Sequence, residues 1–222
     1  MKKKLTLILA IMLSSLLSDA HMSVITFENS ISFFIKDKQI NDLVKNAASQ
    51  KVESFLALIP EGREKDYGFK NRSDFSRVKI EEPYQVFYLL KKDDKLIFNS
   101  GNEWRVPLSV DGHFVALLTV QVTDGVAEAV DFGANVLAQK IEEFETLYSK
   151  GNNERVLIRN TFLKRDYMTT TFSSLCGQKT DNGFEINTKE VMPIYHINAG
   201  RPAPSDFSIF YKESLESSIN IN

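Results

Sequence analysis

Apolar residues recur at intervals of three and four positions along residues 40–59, which is the spacing of one helical face. Asp37 stands just before this stretch and belongs to the residue types favoured at a helix N-cap. Pro60 and Gly62 end the pattern. The sequence therefore predicts an amphipathic helix between Asp37 and Pro60. Its apolar face consists of Ile40, Leu43, Val44, Ala47, Val52, Phe55, Leu56 and Ile59.

After Pro83 the apolar pattern shortens to strand-like runs separated by turn residues. Two Asp-Gly pairs, Asp111-Gly112 and Asp124-Gly125, stand between such runs and are strong signals for tight hairpins. Turns this short join only antiparallel neighbours, so the region predicts a β-meander. Its runs are Tyr84–Leu90, Lys95–Phe98 after a turn at Lys91–Asp94, Trp104–Val110, Phe114–Val122 and Val126–Phe132.

Helical spacing returns from Gly133 to Tyr148, and Lys150–Asn153 offers the glycine and asparagine chemistry of a C-terminal cap. A further strand is predicted at Arg155–Phe162, and the apolar pattern allows it to continue to Phe172. Weaker strand patterns lie at Phe184–Ile186 and Val191–Ile197, a short helix or strand is predicted at Phe207–Tyr211, and the polar end is expected to fray. A further strand or entry segment is predicted at Ser23–Ile35, and a short helix around Ser73–Val78.

This order of elements predicts an α+β fold. An antiparallel β-meander packs against two main helices on one face of the sheet, and additional strands follow toward the C-terminus. Pro107 cannot donate a ladder hydrogen bond, so it is expected at an edge or bulge, or with its nitrogen pointing away from a neighbouring strand.

The first twenty residues have the pattern of a cleaved bacterial signal peptide. Lys2, Lys3 and Lys4 precede the apolar run Leu5–Leu13, and a small-residue site ends at Ala20. The apolar run is shorter than the stretch of about twenty residues that spans a bilayer, which disfavours an uncleaved anchor. We therefore expect a signal peptide at residues 1–20 and a secreted or periplasmic product without a membrane span. Residues 21–222 are expected to form a single α+β domain, with a less regular extension from about residue 173.

Composition narrows the possible partners and the covalent chemistry. The whole chain has a formal net charge of −2, and loss of three lysines and one aspartate with residues 1–20 changes this to −4. Nucleic acid is therefore an unfavourable partner. Cys176 is the only cysteine, so the chain has no internal disulfide, and it lies too far from Ala20 to carry a lipid at the cleavage site.

Three residues are candidates for catalysis. Cys176 and His196 could act as nucleophile and base only if the fold brings them together, because a reactive thiolate needs a nearby proton acceptor or positive charge. The polar stretch after Cys176 favours a buried or incidental thiol instead. Asp131 stands in an apolar context at a strand end, although a hydrogen bond to the following helix N-terminus explains it more simply.

No metal or cofactor is expected. The three histidines, His21, His113 and His196, have no short ligand spacing, and no loop has the dense oxygen ligands of a calcium site. No serine-hydrolase elbow or glycine-rich phosphate loop occurs in the sequence.

Aromatic and cationic residues of the meander suggest a recognition surface. Trp104 and Arg105, with Tyr84 and Tyr88, are weak candidates for binding a peptide or glycan. Core packing is the favoured interpretation of Trp104, because it shares a period-two face with Val106 and Leu108.

These features favour a secreted, non-enzymatic binding or recognition protein whose ligand is a protein, a glycan or a small molecule outside the cytosol. It would use a sheet edge, loops or the C-terminal region. One alternative is an extracytoplasmic hydrolase with a site near Cys176 and His196. Another is an envelope structural or assembly protein that pairs through an exposed strand.

Overall fold

The structure, a computed structural model, describes residues 38–93, 95–148, 154–180, 183–186, 194–197, 203–205 and 207–219. The predicted signal peptide, Ser23–Ile35, the cap residue Asp37 and the cap at Lys150–Asn153 lie outside these residues. The chain divides into a first unit, residues 1–42, and a second unit, residues 43–222. The described part of the first unit is the start of a helix, and the other described residues belong to the second unit.

The described elements confirm an α+β fold. The helices are α1 (38–57), α2 (Asn135–Tyr148), the single turn α3 (Phe172–Leu175) and α4 (Phe207–Ile219), and two 3₁₀ segments occupy Glu64–Tyr67 and Arg72–Arg77. The strands are β1 (Lys79–Ile80), β2 (Tyr84–Lys92), β3 (Lys95–Val110), β4 (His113–Thr123), β5 (Val126–Gly133), β6 (Val156–Asn160), β7 (Arg165–Met168), β8 (Cys176–Thr180), β9 (Gly183–Ile186), β10 (Ile194–His196) and β11 (Ala203–Ser205).

The predicted meander is present as β2-β3-β4-β5, with every neighbouring pair antiparallel. Asp111 and Asp124 adopt φ values of 54° and 53°, and the glycine after each also has a positive φ. Positive φ at both central residues is what a type I′ hairpin turn requires, so the Asp-Gly signal is confirmed at both turns. The runs predicted at Lys95–Phe98 and Trp104–Val110 belong to one continuous strand, β3.

The sheet extends beyond the meander in the order β11-β10-β7-β6-β2-β3-β4-β5. Strand β6 joins the meander through a parallel pair with β2, in which Val86 lies opposite Leu157. Strand β9 pairs with the first part of β3, and β1 pairs with its last part. The meander therefore forms one half of a larger mixed sheet.

Helices cover both faces of this sheet, so the expectation that they lie on one face is wrong. Leu117 packs in a cluster with Ile141 and Phe144 of α2, whereas the preceding residue, Ala116, packs with Leu56 of α1. Successive strand residues point to opposite faces, which places α1 and α2 on opposite sides. We call these sides the α2 face and the α1 face.

Helix α4 also lies on the α1 face. Phe87 of β2 and Ile158 of β6 pack in a cluster with Phe207 and Phe210 of α4. Their neighbours in sequence, Val86 and Leu157, belong instead to the cluster with α2. Among the described helices, α1 and α4 therefore pack on one face and α2 packs on the other.

Two C-terminal expectations need correction. The run predicted from Arg155 toward Phe172 is a hairpin of β6 and β7, because residues 161–164 form a turn in which Asn160 Oδ1 accepts the Phe162 and Leu163 N–H groups at 3.1 and 3.0 Å. The chain after Tyr211 continues as helix to Ile219, the last residue that the structure describes. Phe210 and Ser214 face inward, and the Ser214 hydroxyl donates to the Phe210 carbonyl at 2.6 Å.

Pro107 lies in the middle of β3 and pairs with Leu117. Its carbonyl accepts the Glu81 N–H at 2.9 Å, just beyond the end of β1. The nitrogen of a strand residue points to the same side as its carbonyl, so Pro107 directs its nitrogen away from β4 to a place where β1 has ended. Of the three expected arrangements, the structure therefore shows the one in which the Pro107 nitrogen points away from a neighbouring strand.

Candidate binding face and free sheet edge

The pKa values of Cys176 and His196, the predicted nucleophile and base, are shifted by different neighbouring groups. Burial, with a smaller contribution from Glu154, raises the pKa of the Cys176 thiol to about 12. Burial lowers the pKa of His196, Arg165 lowers it further, and Asp166 opposes them. His196 also lies against the Tyr167 ring, with 5.2 Å between ring centroids. Within the described residues, neither Cys176 nor His196 acts on the other's pKa, and a thiol with so high a pKa is a poor nucleophile at neutral pH.

Asp131 lies on β5 opposite Thr119 of β4 and is exposed. The sequence predicts that the Asp131 carboxylate accepts a hydrogen bond from the N-terminus of α2. Among the described residues no such hydrogen bond is present, because Gly133 and Ala134, both with positive φ, turn the chain between the strand and the helix. The Asp131 carboxylate is exposed on the sheet surface and has no hydrogen bond or ion pair among the residues that the structure describes.

The four predicted ligand-binding residues are divided between the two faces. Trp104 is only 6% exposed and lies opposite Val120 on the α1 face, within the core. Arg105 follows it on β3 and points to the α2 face, together with Tyr84 and Tyr88 of β2. The structure thus places three of the four candidates on one surface and removes Trp104 from it.

Tyr84 is enclosed at the edge of α2. Its hydroxyl donates to Glu145 of α2 and accepts from Arg155 Nη1 at 3.1 Å, while the same Arg155 nitrogen is 2.6 Å from Glu145 Oε1. Arg155 also stacks over the Tyr84 ring, 5.2 Å from its centroid. Burial raises the pKa of Tyr84 well above its usual value. This cluster attaches α2 to the sheet, and the Tyr84 hydroxyl both donates and accepts within it.

A second polar cluster lies on the α2 face and is largely buried. Glu103 Oε2 accepts the Tyr88 hydroxyl at 2.7 Å, and Glu103 Oε1 lies 2.7 Å from Arg105 Nη2. Arg159 reaches the same Oε1 at 3.5 Å and donates from Nε to Asp166 Oδ1 at 3.0 Å. Arg105 also donates to the Thr119 hydroxyl at 2.6 Å. We call Tyr88, Glu103, Arg105, Thr119, Arg159 and Asp166 the charged network.

The charged network balances its own charges. Two arginines face two carboxylates, and the Arg105 and Glu103 side chains are only 12% and 13% exposed. Burial lowers the pKa of Arg159, but Asp166 and Glu103 outweigh it, so the net pKa is raised. Burial and the hydrogen bond to Glu103 raise the pKa of Tyr88. These contacts connect five strands, β2, β3, β4, β6 and β7, although the buried Arg105 Nε has no hydrogen-bond partner among the described residues. With its charges paired, the network has little net charge to offer a ligand.

Strand β5 is the outermost described strand on its side of the sheet. It pairs with β4 alone, so one side of its backbone carries unpaired N–H and C=O groups among the described residues. Val126 and Val130 are 68% and 43% exposed, and Glu128 is exposed between them. The strand contains neither proline nor lysine, the residues that commonly protect an edge.

The far end of β5 is firmly anchored. Phe132 stacks on Phe55 of α1, Tyr67 and Phe69, with ring centroids 6.1, 5.9 and 6.4 Å apart. A register shift at Thr119/Val120 makes Val130 the extra residue of a β-bulge. The regular part of the free edge is therefore Val126–Ala129, held in place by the aromatic contacts beyond it.

Sequence reasoning missed Glu103, Arg159 and Asp166 of the charged network. Each is an isolated charged residue in a strand pattern, and only the pairing of β2 with β6 and of β6 with β7 brings them together. The free edge had a local signal, because the absence of proline and lysine from Val126–Gly133 is visible in the sequence.

Among the described residues no group of three or more histidine, cysteine, aspartate or glutamate side chains could hold a metal ion. None of the described helices has the length and apolar character needed to cross a membrane. Comparison with protein-family models, with curated proteins and with solved structures finds no match to this chain.

Proposed function

We propose that this chain is a non-enzymatic binding protein that acts outside the cytosol and takes an extended segment of a partner protein along the free edge of β5. The observation that carries the proposal is the edge itself, an ordered strand with unpaired backbone groups on one side and exposed Val126 and Val130. Main-chain hydrogen bonds supply affinity in this mode of recognition, and alternate side chains supply specificity.

The opposite end of the sheet is a much poorer site for strand addition. Strand β11 has three residues, Ala203–Ser205, and the middle one is Pro204, which cannot donate a hydrogen bond. Strand β5 has eight residues and no proline. Of the two end strands of the main sheet order, β5 is therefore the one favoured for strand addition.

The exported location rests on the N-terminal pattern of Lys2–Lys4, Leu5–Leu13 and Ala20. Expression of the full sequence in a bacterium tests it by mass measurement of the purified protein. A product that begins at His21 supports export, and a product that retains residues 1–20 in the cytosolic fraction contradicts it.

Strand addition is tested by selecting random ten-residue peptides on the purified protein and mapping the bound site by backbone amide exchange. We expect the selected peptides to slow exchange in Val126–Ala129, because their backbone would pair with this edge. Selection of no peptide, or protection confined to other strands, would overturn the proposal.

A pair of matched variants tests whether the selected peptides bind at the β5 edge. Val126→Lys with Val130→Lys places two positive charges on β5 that disfavour pairing with another strand. The double variant is expected to lower the affinity for the selected peptides at least about tenfold. Leu58→Lys changes an apolar residue that is 76% exposed and lies just after α1, and should leave binding unchanged. Equal loss in both variants would contradict an edge site.

A further inference from the structure

The free edge of β5 is acidic as well as open. Between Val106 and Gln139 the sequence contains no lysine or arginine, but it contains four carboxylates. Asp111 is paired with Arg77. The other three, Asp124, Glu128 and Asp131, are exposed and have no ion pair within the described part of the chain.

The bulge brings two of these carboxylates to the same face. Glu128 and Asp131 are three positions apart, so in a regular strand they would point to opposite sides. Because Val130 is the extra residue, Glu128 lies opposite Gln121 and Asp131 lies opposite Thr119. Gln121 and Thr119 are two positions apart on β4, so both carboxylates point to the α2 face at neighbouring positions.

The sheet does not neutralise these charges from its own side. Arg105, on the same face, lies two strands away from Asp131 and is bound to Glu103 and Thr119. Lys140 of α2 is paired with Glu143 at 2.8 Å. A bound segment would therefore meet two uncompensated carboxylates.

This charge pattern also argues against a second copy of the chain as the occupant. Antiparallel pairing of two β5 strands would bring the carboxylates of both copies together, and like charges across a strand pair are destabilising. A basic segment would gain from the same groups.

We propose that the occupant of the β5 edge is an extended protein segment with lysine or arginine at alternate positions, which face Glu128 and Asp131. This inference rests on the proposed strand addition and specifies its partner. Cross-strand neighbours lie about 5 Å apart, so two basic residues at positions i and i+2 reach both carboxylates.

Three synthetic ten-residue peptides test the inference, in which valine alternates with lysine, with threonine or with glutamate. We expect the lysine peptide to bind about five- to tenfold more tightly than the threonine peptide at low salt, because exposed ion pairs each contribute modestly. The glutamate peptide should bind most weakly, and 0.5 M NaCl should remove most of the difference.

Variants that remove individual carboxylate charges test which residues cause the preference for the lysine peptide. Glu128→Gln with Asp131→Asn should make the lysine and threonine peptides bind equally, without changing the β5 amide protection that both induce. Glu53→Gln with Glu61→Gln neutralises two other exposed carboxylates and should preserve the preference.

The outcomes separate the two proposals. Equal binding of all three peptides, with protection of Val126–Ala129, would overturn the basic partner and leave strand addition standing. Absence of β5 protection with every peptide would overturn both. A lysine preference that survives in the Glu128→Gln, Asp131→Asn variant would assign the preference to other carboxylates and contradict the inference.

Discussion

At the scale of single residues, Cys176 shows how burial determines chemistry. The pKa of its thiol is about 12, compared with 9.0 for an unperturbed cysteine. Below both values, a rise of three units lowers the thiolate fraction about a thousandfold. We expect iodoacetamide at pH 7 to modify the folded protein about a thousandfold more slowly than the urea-unfolded protein, as followed by mass spectrometry. Similar alkylation rates in the folded and unfolded protein would show that the Cys176 thiol is reactive in the folded state and could act as a nucleophile.

Gly68 occupies a backbone position that excludes any side chain. Its φ is 92°, and a Cβ there would collide with the Val115 carbonyl oxygen and lie 3.0 Å from Asn135 Cβ. Gly62 has a similar φ of 80° but open space around it. An alanine at Gly62 would therefore introduce backbone strain alone, whereas an alanine at Gly68 would introduce both backbone strain and a steric clash.

We expect Gly62→Ala to lower the free energy of unfolding by about 1–2 kcal/mol, which is the cost of the left-handed conformation alone. Gly68→Ala should cost about 2 kcal/mol more, because the packed backbone must move. Urea denaturation followed by circular dichroism measures both. Equal costs would show that the contact between the Gly68 turn and β4 is loose.

At the scale of elements, local signals predicted local structure. The helix before Pro60 and the two Asp-Gly hairpins depend on neighbours within a few positions, and all three are present. The parallel pairing of β2 with β6 joins residues about seventy positions apart, and no local pattern encodes it. The same pairing assembles the charged network, so Tyr88 and Arg105 could be suspected from sequence but their partners could not.

The charged network should act as one cooperative unit across these strands. Glu103→Gln removes the carboxylate shared by Arg105 and Arg159, and we expect a loss of about 2–3 kcal/mol in the free energy of unfolding, because the largely buried Arg105 loses its carboxylate partner and Arg159 keeps only Asp166. The exposed pair of Lys95 and Glu185, 3.2 Å apart, supplies the control, and Glu185→Gln should cost less than about 1 kcal/mol.

Coupling within the network is tested by combining Glu103→Gln with Arg105→Gln. The double variant should lose less stability than the two single variants together, since each single change leaves an unpaired charge. Strict additivity in urea denaturation would show that the two groups do not depend on each other.

At the scale of the whole molecule, the turn that connects α1 to the sheet makes stability depend on pH. Asp74 is buried, which by itself raises its pKa, but hydrogen bonds from the Lys70 N–H at 2.7 Å and from Arg77 at 2.5 Å outweigh burial, so the pKa lies below 3.8. The unfolded chain therefore binds a proton at Asp74 before the folded chain does. The stabilisation is fully present above the unfolded pKa and is lost as the pH falls through the folded pKa.

Asp74→Asn removes this titration. Wild type should be more stable than the variant at pH 6, and the difference in unfolding free energy should narrow as the pH falls below about 4, where the wild-type carboxylate is protonated. Urea denaturation between pH 2.5 and 6 in steps of about half a pH unit follows the difference. A difference that stays constant across this range would show that Asp74 acts through its shape and hydrogen bonds, without its charge. A difference in unfolding free energy that narrows at low pH would show that protonation of Asp74 destabilises the turn between α1 and the sheet. Acid would then also weaken the support of β5, which belongs to the same sheet.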